Sequence, residues 1–160
     1  QNSSGLDPAV AVINRPIIFQ NRKIVEILDA PYWPYLMLSY SGENSPTSEC
    51  VKIVNDSFKK NIENAIALDD QMNEASALCE IGLKTSNLKM LADGIELGHK
   101  VFRKWNLCTS NQENHMAMLL SKGAMAAKPT GSGLGGFVIS LWEKKPTTLI
   151  SNNNNMFDIT

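Results

Sequence analysis

Four glycines fall within six residues near the end of this chain, Gly131-Ser132-Gly133-Leu134-Gly135-Gly136, and the sequence then runs directly into Phe137-Val138-Ile139-Ser140-Leu141-Trp142. Each glycine costs roughly 0.5–1 kcal/mol of backbone entropy relative to alanine. An ordinary turn needs one or two. Two readings account for four: a tight β-turn with no ligand, or a backbone that something must approach closely. Gly131, Gly133 and Gly136 match the spacing G-x-G-x-x-G, but a dinucleotide fold requires a helix after that loop. The residues that follow are β-rich and lack helical periodicity. No Lys-Ser or Lys-Thr follows the glycines, so a Walker phosphate loop fails as well. The segment therefore reads as a loop between two strands, 124–129 and 137–142.

Strand signals also open the chain. Ala9 to Asn14, Pro16 to Gln20 and Lys23 to Leu28 are dense in Val and Ile, and Asn21-Arg22 suits a tight hairpin turn between the last two runs. Tyr35 to Tyr40 is a further short apolar run. Helical periodicity then takes over. With Ser45 as N-cap and Pro46 at the first helical position, Val51, Val54, Phe58, Ile62 and Ile66 share one face, and Gly82 marks a break. Leu88, Leu91, Ile95, Phe102 and Trp105 form a second face, weakened by Gly94 and Gly98. Ser110 and Glu113 fit a capping box, and Gly123 fits a left-handed helix end. The tail, with Asn152 to Asn155, reads as a surface loop. Strands, then helices, then strands predict one α+β domain over 1–160, with helices on one face of an antiparallel sheet.

Composition narrows the function. The 160 residues carry a net charge of −1, so no basic field draws in nucleic acid or anionic lipid. No apolar run approaches the roughly 20 residues of a membrane span. Cys50, Cys79 and Cys108 are widely spaced and odd in number, which suggests free thiols in a reducing, cytoplasmic compartment. His99 and His115 have no partner at metal spacing, so no metal site is expected within this chain and both read as structural or surface residues. Asp69-Asp70 reads as a solvated face. The opening at Gln1, inside a polar turn, reads as the start of an excised domain.

The segment Gly123-Ala124-Met125-Ala126-Ala127-Lys128-Pro129-Thr130-Gly131-Ser132-Gly133-Leu134-Gly135-Gly136 resembles the third conserved motif of the GHMP kinases, which braces the phosphate region. Pro129 and Leu134 depart from that motif. Ser3-Ser4-Gly5-Leu6-Asp7 resembles the family's P-S-G-I/V-D segment, although Pro8 stands where an asparagine is usual. Ser41 to Val51 resembles the loop that starts a helix with S-T-K-x-x-V. Together these segments are most similar to the C-terminal domain of the mevalonate kinase branch, over Ser3 to about Trp142.

That resemblance implies a ferredoxin-like α+β domain, a four-stranded antiparallel sheet backed by helices, and the C-terminal half of an ATP-dependent kinase. Asp7 would be the catalytic carboxylate that orients the acceptor hydroxyl and takes its proton. Thr47, Thr130, Gly131, Ser132, Gly133, Gly135 and Gly136 would lie near substrate and phosphate. Lys128 would be a phosphate-side charge. Read locally, Asp7 is first a turn or helix-cap residue, Thr47 is at least as readily a helix cap, and Lys128 is equally a structural cation. The implied cofactors are ATP and Mg2+, held mainly by an N-terminal ATP-binding domain outside this chain. The implied partners are a small alcohol, mevalonate first, and that second domain, with room for a homodimer. Phosphomevalonate, sugar and homoserine kinases stay open within the class. Outside it stands a non-catalytic ferredoxin-like interaction module.

Overall fold

The computed structural model describes residues 5–13, 15–44, 47–147 and 156–159. Elements run α1 (Leu6–Ile13), β1 (Ile17–Gln20), β2 (Lys23–Ile27), β3 (Tyr35–Tyr40), α2 (Thr47–Lys60), α3 (Ile62–Lys84), α4 (Leu88–Lys104), α5 (Ser110–Ser121), β4 (Ala126–Pro129), β5 (Phe137–Trp142) and β6 (Met156–Asp158). The predicted α+β class holds. A four-stranded antiparallel sheet has the order β4-β5-β3-β6, and β1 and β2 form a separate hairpin.

Pairing places Leu36 opposite Leu141, and Ala126 opposite the same Leu141. This face packs with Leu91 and Ile95 of α4 and with Leu83 of α3. The alternate residues Met37, Val138, Trp142 and Ala127 face the other way, onto Met116 and Leu119 of α5. The helices thus divide between the two faces of the sheet, where the sequence suggested one face. The cause is the period of two along β3 and β5: nearly every side chain is apolar or buried, so both faces require cover.

Several boundaries differ from the expectation, each for a local reason. Ala9 to Ile13 belongs to α1, not to a strand; Asp7 and Pro8 occupy the first helical turn, where an acid complements the free amides and a proline lacks no needed donor. The helix break falls at Asn61, whose side chain accepts from the Asn64 amide at 3.0 Å. Gly82 lies inside α3 and breaks nothing. Gly94 permits the close α3–α4 crossing, because a Cβ there would lie 2.7 Å from Cys79 Sγ and 2.8 Å from the Ala75 carbonyl. The box at α5 is Thr109 with Gln112, one residue earlier than Ser110 with Glu113. Within the tail, Met156–Asp158 pairs with β3 and closes the sheet. The hairpin turn at Asn21-Arg22 is as expected, with φ of 51° and 62°. Ser45, Pro46 and Asn152 to Asn155 lie outside the described residues, as do Ser3 and Ser4.

Candidate functional site

The glycine loop hangs between β4 and β5, closed at its base by the Thr130 amide donating to the Phe137 carbonyl at 2.9 Å. Its path is fixed by groups from three other segments. The Leu134 amide donates to the Leu107 carbonyl at 2.8 Å, and the Gly136 amide to the Glu43 carbonyl at 2.6 Å. Gln112, fully buried, donates from Nε2 to the Gly135 carbonyl at 2.7 Å. Ser41 Oγ donates to the Gly136 carbonyl at 2.7 Å.

Those contacts explain two of the four glycines. Gly133 and Gly135 have φ of 99° and 128°, and an added Cβ would lie 2.6 Å from the Leu107 carbonyl oxygen and 2.9 Å from that of Glu43. What approaches the backbone at these two positions is the protein itself. Gly131 and Gly136 also have positive φ, 73° and 79°, yet nothing stands within 4 Å of a Cβ at either. The outer side is open at both positions, while the amide and carbonyl of Gly136 are already bonded to Glu43 and Ser41. Leu134, at φ 55°, turns inward and packs in the cluster of Phe102, Trp105 and Leu107. It anchors the loop.

A hollow of about 350 Å³ lies along that outer side. Thr130 to Gly136, Leu134 excepted, form one wall, and Asn44, Thr47 and Phe137 complete it. Thr47 is the first residue of α2 and its Oγ1 accepts from Ser132 Oγ at 3.5 Å. A helix start and a glycine loop thereby meet on one cavity, and the free amides of a helix start are donors of the kind that hold anions. Among the described residues, no cationic side chain lines the hollow.

The predicted residues divide into three groups. Thr47, Thr130, Gly131, Ser132, Gly133, Gly135 and Gly136 share this hollow. Asp7 is an exposed residue of α1 and is not among the lining groups. Lys128 is turned into the core between β4 and α4. Its Nζ donates to the Pro129 carbonyl at 2.7 Å and sits 4.2 Å above the Phe102 ring, and burial lowers its pKa. The structure gives Lys128 a packing role and places it away from the hollow's lining.

Sequence reasoning missed what supports the loop. Gln112 and Leu107 carry no motif, and only the fold brings them to the glycines. It also treated both histidines as isolated. His115 Nε2 lies 2.7 Å from Ser39 Oγ in the buried face of β3, and His99 Nε2 lies 3.1 Å from Glu113 Oε1.

No protein-family model matches the sequence, and a search of curated proteins gives no match. Solved structures do match. This is the fold of the C-terminal part of GHMP kinases, with the glycine loop between its strands. Mevalonate kinase from L. major, solved in complex with R-mevalonate, matches at 20% identity and a TM-score of 0.86 over 99% of this chain and 52% of that one. Mevalonate kinase from Methanococcus jannaschii matches at 24% identity and a TM-score of 0.66, over 88% of this chain and 44% of that one. Phosphomevalonate kinase from Streptococcus pneumoniae, in complex with phosphomevalonate and AMPPNP, matches at 13% identity and 0.63, over 84% and 41%. The chain spans about half the length of these relatives. Among the described residues, no helix is long and apolar enough to cross a membrane.

Proposed function

We propose that this chain is the acceptor-side half of an ATP-dependent small-molecule kinase, transferring the γ-phosphoryl group of Mg-ATP to an alcohol, with mevalonate as the first candidate. The observation that carries the reading is the shared hollow of the glycine loop and the α2 start, in a fold whose solved relatives include kinases bound to mevalonate and to phosphomevalonate with a nucleotide analogue. Phosphoryl transfer asks the protein for positioning and for charge neutralisation more than for covalent chemistry. Thr47 and the open backbone of Gly131 supply neutral donors to phosphate and substrate. Asp7 supplies the carboxylate that orients the acceptor hydroxyl and accepts its proton, a contribution worth roughly 10²–10⁴-fold.

The neutrality of the hollow supports the division of labour. A bound triphosphate needs cations, and none of the described residues lining this cavity is one. Lysine and Mg2+ would come with an ATP-binding domain preceding this chain in a longer polypeptide. The 160 residues alone are therefore expected neither to hold ATP tightly nor to turn over. An alcohol panel with Mg-ATP tests both points. The longer protein should phosphorylate mevalonate in preference to phosphomevalonate, homoserine and sugars, and this chain by itself should phosphorylate none. Turnover by the isolated chain, or indifference of the longer protein to every alcohol, would overturn the reading and favour an interaction module.

A further inference from the structure

Where α4 and α5 meet lies a second group of reactive side chains that the kinase reading does not use. His99 comes from the middle of α4, Cys108 from the connection after it, and Glu113 from the first turns of α5. One ring nitrogen, the thiol sulfur and one carboxylate oxygen lie within 4.8 Å of one another. Three donors of different hardness converge on one point, and all three residues are partly buried, so the point is sheltered and still reachable from solvent.

We propose that His99, Cys108 and Glu113 form a binding site for one divalent cation of the zinc class, with water in the fourth position. Zinc takes histidine nitrogen and carboxylate oxygen at about 2.0–2.2 Å and thiolate sulfur at about 2.3 Å, which puts tetrahedral ligands roughly 3.5 Å apart. The His99 Nε2 to Glu113 Oε1 distance, 3.1 Å, is already close to that spacing. The other separations are at most 4.8 Å. On binding, the Cys108 thiol gives its proton to solvent and the sulfur becomes the ligand. His99 coordinates as neutral imidazole, and no electrons change hands. The thiolate and the carboxylate then balance the two positive charges.

A thiolate and a carboxylate at one point repel each other until a dication sits between them. Opposing charges are present too. Arg103 Nε lies 3.2 Å from Glu113 Oε1 and competes for it, and Lys128 adds positive potential nearby.

The site's consequence follows from its place. The same corner presents the Leu107 carbonyl and the Gln112 amide that hold Leu134 and Gly135 of the glycine loop. A metal clamping α4 to α5 stiffens the support of the loop. The sequence hides the site because its three ligands sit at 99, 108 and 113, across a helix, a connection and a second helix, with no repeat spacing.

Zinc titration against a chromophoric chelator, with the protein reduced, is the test. One zinc should bind per chain and raise the melting temperature. His99→Gln and Cys108→Ser should each weaken binding by more than the roughly 10–100-fold typical of a merely supporting group. Cys79→Ser should leave it unchanged, and Arg103→Gln should tighten it by freeing Glu113. Circular dichroism of the metal-free variants checks folding. Should both ligand variants unfold, cobalt decides on the unmodified protein, which must develop a thiolate-to-cobalt absorption band that Cys79→Ser retains. Binding that survives both ligand variants, or no stoichiometric zinc, or no such band, would overturn the proposal.

Discussion

The glycine loop and the amino-terminal ledge carry the two halves of the proposed chemistry, and they are built in opposite ways. The loop is held by backbone and side-chain bonds from Glu43, Leu107 and Gln112, and Leu134 pins it into a buried cluster. The ledge, α1 with the β1–β2 hairpin, has no buried residue in α1 and an exposed β2, and Val12 is 83% exposed. The Lys84–Glu26 ion pair, 2.8 Å and on the surface, ties the hairpin to α3, and such pairs contribute little. The lesson is that rigidity is invested where neutral backbone must keep one shape. The carboxylate of Asp7 rides on an element in which none of the described residues is buried.

Substitutions at the loop should sharpen the contrast most. Gly133→Ala meets the Leu107 carbonyl at 2.6 Å in a positive-φ position, so overpacking and strain add to about 4 kcal/mol in denaturant unfolding. Gly131→Ala has the strain without the clash and should cost only about 1 kcal/mol. Equal losses at the two positions would mean that the Leu107 contact does not shape the loop. Gln112→Leu comes next. It strands the Gly135 carbonyl and removes the capping contact to the Thr109 amide, for a loss of about 2–3 kcal/mol by the same measurement. Val12→Ser on the ledge should stay within about 0.5 kcal/mol. A larger loss there would break the comparison outright.

The smallest effect concerns pH. Burial lowers the pKa of His115 below its ordinary 6.5. The unfolded chain therefore takes up this proton first as pH falls, and stability from this group is present above about 6.5 and lost progressively below it. Thermal melts between pH 7.5 and 5.5, round working values chosen about the ordinary histidine pKa, should show a decline that His115→Gln makes shallower. A decline of unchanged slope would remove His115 from the account.

Legibility in the sequence followed how local each cause was. The Asn21-Arg22 turn needs two left-handed residues and nothing else, and it was readable, as were β3 and β5 from their apolar runs. The Val-rich stretch from Ala9 misled because α1 is set by its first turn, Asp7 and Pro8, and not by the β-branched residues after it. The break at Asn61 was masked because apolar spacing continues from Phe58 to Ile62 and Ile66 across the cap. Gly82 and Gly94 looked like weak points because their reason is another helix lying against them. The resemblance grouped Thr47 with the glycines, and the structure brings them to one hollow. Gln112, Leu107 and the grouping of His99 with Cys108 and Glu113 exist only after α4 and α5 have folded back on one another.

Whether the ledge and the loop serve one reaction is decided most directly by Asp7→Asn in the longer, ATP-binding protein, assayed for mevalonate phosphorylation under saturating Mg-ATP. The exposed position of Asp7 predicts unchanged folding and an unchanged melting temperature. Its proposed task predicts kcat lower by roughly 10²–10⁴-fold. A variant that turns over at close to the parent rate would contradict the account, because the hollow would then perform its chemistry without the ledge.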